Sequence, residues 1–175
     1  MNVLVLTGPE SSGKSWLAEQ IQRCFGGLLV GEYVRSFIEQ HQRDTVYGDI
    51  PAIAQGQLDN EDAARATAPR LLILDTHLLS NMLWSRTLFG DCPGWVETAL
   101  LARHYDLHLL LDPSGVDWIS DGQRCQPEMA SRQVFFQDTQ RWLEQHHQAF
   151  QVIGGDWTQR REQAFAAVAQ LLGHH

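Results

Sequence analysis

The sequence predicts an α/β domain built on a five-stranded parallel sheet with helices on both faces. Three observations carry that expectation. Five short apolar runs rich in Val, Ile and Leu recur along the 175 residues, stretches with helical spacing separate them, and a glycine-rich segment follows the first run directly. Continuously apolar strands suit a sheet buried on both faces, and parallel neighbours need a crossover between them, usually a helix. A chain of this length with 43% hydrophobic residues fills one core, so a single domain over 1–173 is expected.

Taken in order, Asn2-Val3-Leu4-Val5-Leu6-Thr7 reads as a buried strand over 2–7. Trp16, Leu17, Gln20, Ile21, Cys24 and Phe25 then fall at helical spacing, which predicts a helix over 15–25. A second strand is expected at 27–31 and a helix at 33–42. Tyr47-Gly48-Asp49-Ile50-Pro51 reads as a turn with Pro near the start of a helix over 51–67. Strands at 71–75, 107–112 and 150–154 alternate with helices at 78–89, 94–104 and 128–147. In the last helix, 158–172, Phe165, Val168, Ala169 and Leu172 repeat at i, i+3, i+4 and i+7, and its expected role is only to cover the sheet. Trp84, Trp95, Trp142 and Trp157 lie in or beside helical patterns, where core packing is the expectation.

The glycine-rich segment, Gly8-Pro9-Glu10-Ser11-Ser12-Gly13-Lys14-Ser15, is a full match to GxxxxGK[ST] between a strand and a helix. There the loop N–H groups and the helix N-terminus converge on an anion, so the loop is expected to hold the phosphates of ATP. Lys14 is the only lysine in the chain; the other twelve Lys/Arg residues are all Arg. A compact ammonium reaches between β- and γ-phosphates where a planar guanidinium fits less well. Leu71-Leu72-Ile73-Leu74-Asp75 delivers one carboxylate from an apolar strand to the side of that loop. Asp75 and the Ser15 hydroxyl are the expected Mg²⁺ ligands.

In open α/β sheets ligands bind beyond the carboxyl ends of the strands, which directs attention to Glu32, Asp75 and Asp112. Glu32 suits contact with sugar hydroxyls or proton removal from an attacking hydroxyl; its alternative is a first-turn residue favouring its helix dipole. Arg35 suits orienting Glu32 or a substrate anion, or else a surface ion pair with Glu32. Asp49 reads first as a helix cap. The segment around Asp117 to Arg124, with Pro127 and Arg132 beyond it, reads as a lid over about 115–132, in which Arg124 and Arg132 could close on the transferring phosphoryl.

Net charge is −8, with 21 acidic against 13 Lys and Arg, and no basic run tracks a nucleic-acid backbone. Three cysteines without a CxxC pair suggest neither a disulfide framework nor a zinc knuckle. No apolar run approaches membrane-spanning length and no leader pattern opens the chain, so a cytoplasmic location without nucleic-acid or membrane partners is expected.

GPESSGKS at 8–15, EYVR at 32–35, Tyr47-Gly48-Asp49, LILDT at 72–76, YDLHLLL at 105–111 and DWISDGQR at 117–124 together resemble the ribosylnicotinamide kinase domain of NadR-type proteins. The resemblance covers nearly the whole chain. It implies a nucleoside-monophosphate-kinase-like P-loop NTPase fold and transfer of the γ-phosphoryl of ATP, with Mg²⁺, to the 5′-hydroxyl of nicotinamide riboside. It further implies phosphate binding by Gly8, Glu10, Ser11, Ser12, Gly13, Lys14, Ser15, Arg124 and Arg132. Catalytic roles fall to Lys14, Glu32, Asp75 and Arg124, and acceptor contacts to Glu32, Arg35, Tyr47, Asp49, Trp118 and Asp121. The DNA-binding and adenylyltransferase regions of NadR proteins have no counterpart in this sequence, so repression and adenylyl transfer are not expected of it. Two positions depart from the family pattern: His77 stands where Asp-Thr-Asp would end, and Gly31 where an aromatic usually precedes the EYxR stretch. Tyr47 is the expected aromatic substitute. A kinase of another nucleoside, nucleotide or vitamin, and a nucleotide-dependent regulatory ATPase module, share the same ATP machinery.

Overall fold

The structure, a computed structural model, describes residues 1–116 and 128–173. β1 (Asn2–Thr7) leads through the glycine loop to α1 (Lys14–Phe25), then β2 (Leu28–Val30) and α2 (Tyr33–His41). A 3-10 turn at Tyr47–Asp49 precedes α3 (Ile50–Ala66), β3 (Leu71–Asp75), α4 (Leu78–Phe89) and α5 (Gly94–Leu101). β4 (Leu107–Leu111), α6 (Met129–Gln145), β5 (Phe150–Ile153) and α7 (Trp157–Gly173) complete the described chain.

All pairings are parallel, in the order β2-β3-β1-β4-β5. This is the P-loop NTPase arrangement, with β1 and its loop at the centre of the sheet. Strand residues alternate between two cores, as a period of two requires. Val3, Val5, Leu72, Leu74 and Leu110 meet Leu58 of α3, Met82 of α4 and Phe135 of α6. Leu4, Leu6, Leu71, Ile73 and Leu109 meet Leu17 and Ile21 of α1 and Ala164 and Val168 of α7. All five expected strands and seven helices are present, with ends shifted by a few residues. β2 is one residue shorter than expected at each end, and at its start Gly27 (φ 99°) passes tightly beside Leu71, where an added Cβ would lie 2.5 Å from the Leu71 carbonyl oxygen. Among the described residues no helix is long and apolar enough to cross a membrane.

The tryptophans need correction. Trp142 packs in the core and the half-buried Trp84 packs against it, but Trp95 and Trp157 are exposed. Helical spacing locates a face without saying what covers it, and the faces bearing Trp84 and Trp157 border a cleft.

Candidate active site

The register Leu6↔Asp75 sets the carboxyl end of β3 beside the point where β1 enters the glycine loop. Thr76 N–H then donates to the Leu6 carbonyl at 2.9 Å. Thr76 itself holds φ 66°, a left-handed conformation that is uncommon for a β-branched residue. The loop carries Gly8 at φ 135°, where an added Cβ would sit 2.7 Å from the Leu111 oxygen, and Gly13 at φ 91°, where a side chain would strike the ring of Trp157. Both positions therefore demand glycine on steric as well as dihedral grounds. No side chain caps α1, whose first N–H groups are left to the loop.

Lys14 is buried, and its Nζ donates to the carbonyls of Pro9 at 2.7 Å and Gly8 at 3.1 Å. Ser12 Oγ donates to the Pro9 carbonyl at 2.8 Å. Ser15 Oγ donates to Asp75 Oδ2 at 2.6 Å, while Asp75 Oδ1 is buried without a hydrogen bond. Burial first, and the nearby charge of Glu32 second, push the Asp75 carboxyl up to about 6. A hard cation with oxygen ligands fits this pair: it would satisfy the orphaned oxygen and relieve the burial of the charge. Among the described residues no cluster of three His, Cys, Asp or Glu side chains offers an all-protein cage, so such an ion would draw its remaining ligands from phosphate and water.

Glu32 precedes α2 and accepts from Arg35 Nε at 2.7 Å. Its position is set by α3. Tyr33 N–H donates to Gln57 Oε1 at 3.0 Å, and the Tyr33 ring lies where a side chain at Gly56 would be. Arg35 makes the i,i+3 ion pair with Glu32 and also lines the cleft.

One cleft of about 300 Å³ brings the loop, Glu32 and Arg35 together, and Asp75 lines a second hollow that shares Ser15, Glu32 and Arg35 with it. Gly8, Glu10, Ser11, Gly13, Lys14 and Ser15 line the loop side of the cleft. Glu32, Arg35, Ile38, Ile50, Ile53, Thr76, Asn81 and Trp84 line the remainder. Arg132 is buried on α6, and its Nη1 donates to the Glu10 carbonyl at 3.5 Å. Ser12 is buried behind the loop and does not line the cleft.

Two expected acceptor residues stand apart from the cleft. Tyr47 packs edge-on against Phe89, 5.9 Å between centroids, with its hydroxyl toward Asp91 at 3.4 Å. Asp49 is taken by Arg43 through both oxygens, at 2.7 and 3.0 Å, and by Val46 N–H, which holds its carboxyl down at about 2. Trp118, Asp121 and Arg124 fall outside the described residues. His77 faces the interior, Nε2 to Nε2 of His108 at 3.2 Å and edge-on to Tyr105, and burial lowers the pKa of both rings.

Sequence reasoning missed Asn81, Trp84 and the part played by α7. That helix does more than cover the sheet. Its fully buried Arg160 donates to the carbonyls of Gly155 at 2.7 Å, Ser12 at 3.0 Å and Ser114 at 2.5 Å, so it grips the phosphate loop from behind. Trp157 meets Trp16 edge-on at 5.0 Å on the same side. The signal was present as an Arg on the buried stripe of α7, a position where an unpaired charge would not be tolerated.

Comparison with known proteins agrees with this fold. A family model described as an AAA domain matches residues 3–160. The trifunctional NAD biosynthesis/regulator protein NadR of Escherichia coli is 24% identical over 178 residues, covering 99% of this chain and 43% of that protein. A NadR protein crystallised in complex with NR aligns with TM-score 0.76 at 20% identity, over 99% of this chain and 52% of that one. Deoxyadenosine kinase from M. mycoides, solved with dCMP and dCDP, aligns with TM-score 0.66 at 13% identity, over 96% of this chain and 99% of that one. The chain thus spans about half or less of the NadR proteins it matches and shares the fold of small nucleoside kinases. With the match running from β1 into α7, this chain belongs to the AAA-domain family of P-loop proteins, in the company of the NadR proteins it resembles.

Proposed function

We propose that this chain is an ATP-dependent kinase that transfers the γ-phosphoryl group to the 5′-hydroxyl of nicotinamide riboside, giving nicotinamide mononucleotide. The observation that carries this reading is a cleft lined by most of the phosphate loop, including Gly13, Lys14 and Ser15, together with a carboxylate–guanidinium pair and apolar side chains. A donor site and an acceptor site that open into each other are what in-line transfer requires. The NadR relatives and the NR-bound neighbour support the choice of acceptor.

In this reading the Lys14 ammonium leaves the carbonyls of Gly8 and Pro9 for the β- and γ-phosphoryl oxygens, and the N–H groups at the start of α1 hold the same phosphates. Ser15 and Asp75 hold Mg²⁺, which when bound supplies charge neutralisation at those oxygens. Glu32 accepts the proton of the attacking hydroxyl, and Arg35 keeps its carboxylate aimed into the cleft. Arg132, against the Glu10 carbonyl, adds positive charge beside the loop, with Arg124 as its expected companion. Catalysis consists of alignment and charge compensation, with no covalent intermediate on the protein.

Incubation with Mg-ATP and a panel of nucleosides and vitamins, followed by product mass measurement, tests the assignment. Nicotinamide mononucleotide should dominate. ATP consumption without any phosphorylated acceptor would instead mark a regulatory ATPase.

A further inference from the structure

With nicotinamide riboside as acceptor, the base end lacks the expected aromatic partner, because Gly31 offers no side chain and Tyr47 points elsewhere. Two residues on α4 answer to that need. Asn81 and Trp84 are three residues apart and share one helix face, and both line the cleft. Asn81 lines the cleft, and its Nδ2, shielded from solvent, has no hydrogen bond, although a buried donor is normally satisfied. Trp84 is half-buried, packed against the core on one side and lining the cleft. The same cleft is lined by the apolar Val34, Ile38, Ile50 and Ile53 and by the small hydroxyls of Thr76 and Ser80. The charged lining residues belong to the phosphate loop and to Glu32 and Arg35.

We infer that Asn81 and Trp84 determine which base the acceptor carries, and that the base they select is a flat, electron-poor six-membered ring bearing a carboxamide. Rotating the Asn81 amide exchanges its N–H₂ donor and its oxygen acceptor, and a carboxamide presents both complements, so either orientation pairs with it. A carboxamide satisfies an amide that a bare ring leaves as it is in the free protein, and discrimination arises from that gain. An indole face is the strongest aromatic partner for a cationic ring such as a pyridinium. Trp84 therefore supplies from α4 the stacking surface that Gly31 lacks beside β2. This inference rests on the nicotinamide riboside reading and sharpens it.

The test compares nicotinamide riboside with the pyridinium riboside that lacks the carboxamide, using wild type, Asn81→Leu, Trp84→Leu and Trp84→Phe. Acceptor KM, kcat and the KM for ATP are measured, with calorimetric binding of each riboside alongside. Wild type should prefer nicotinamide riboside by about tenfold or more in kcat/KM, a comparison that depends on no variant folding. Asn81→Leu should reduce that preference to near unity with the ATP KM within about twofold. Trp84→Leu should raise KM for both ribosides alike, and Trp84→Phe should restore most of the loss. Equal use of both ribosides by wild type, or a preference that survives Asn81→Leu, overturns this inference and leaves the kinase reading standing. A wild-type protein that neither binds nor phosphorylates either riboside overturns both.

Discussion

Arg160 allows a prediction whose size follows from its contacts. Its guanidinium is fully buried and donates to three carbonyls, those of Gly155, Ser12 and Ser114, on three separate segments. Charge-assisted hydrogen bonds contribute roughly 1.5 kcal/mol or more each, so the three together hold about 4 to 5 kcal/mol. Part of that is offset by taking the charge out of water, the same burial that lowers the pKa of this arginine. A net loss of about 3 kcal/mol is expected for Arg160→Met, which fills similar space but leaves the carbonyls unpartnered. For a domain of this size that corresponds to a fall in Tm of about 6 to 12 °C. Because the Ser12 carbonyl belongs to the phosphate loop, ATP KM should also rise, by about fivefold or more. Arg160→Lys should rescue little, since one ammonium cannot span three carbonyls. Thermal melts and steady-state kinetics on both variants are the assay. Melting within 2 °C of wild type together with an unchanged ATP KM would refute the idea that α7 supports the loop.

Three further outcomes are expected. Lys14→Ala and Lys14→Arg should both lose nearly all turnover at saturating Mg-ATP while melting near wild type, because the loop needs a point charge of that reach. Glu32→Gln should keep ATP binding and lower phosphoryl transfer by about 10²-fold or more, read in single-turnover assays; unchanged transfer would make Glu32 a helix-end residue. For Asp75, a folded pKa of about 6 against an unfolded value of about 3.9 means that the native state binds the proton more tightly. Its contribution to stability is thus present below about pH 4 and lost as pH rises through about 6. Asp75→Asn should therefore melt a few degrees above wild type at pH 7.5 without nucleotide, lose that advantage as pH falls toward 5, and have almost no turnover. A variant less stable than wild type at pH 7.5 would contradict the buried-carboxylate account.

The parts of this protein readable from sequence were those written by local rules. A phosphate loop is contiguous, and its glycines, lysine and serine occupy fixed steps along one turn, so the order of residues from Gly8 to Ser15 was enough to place it. Strand β3 pointed to Asp75 only beside the loop, since an apolar strand ending in Asp also reads as an ordinary strand-end turn. The acceptor side is assembled differently, from α2, α3 and α4, and depends on which way helices face one another. Trp84 read as core because it falls in a helical pattern, and one-dimensional spacing does not separate a face against a helix from a face that also borders a cleft. Tyr47 and Asp49 read as site residues through their neighbourhood in the sequence, whereas Arg43, only six residues from Asp49, takes both carboxylate oxygens. Gly56 could not be anticipated either, since its purpose is the ring of Tyr33 on another helix.

The bond from Arg160 to the Ser12 carbonyl spans 148 residues and bears on how the molecule comes into being. Residues 8–15 emerge early during synthesis, but the guanidinium that steadies them arrives only with α7. A nascent chain arrested before that helix would carry every motif of a nucleotide site and still lack its buttress. Competence to grip a nucleotide would thus report that the sheet has closed and its last covering helix has docked. A pulse of protease on ribosome-bound intermediates of increasing length should find the loop becoming resistant only when α7 has cleared the exit tunnel.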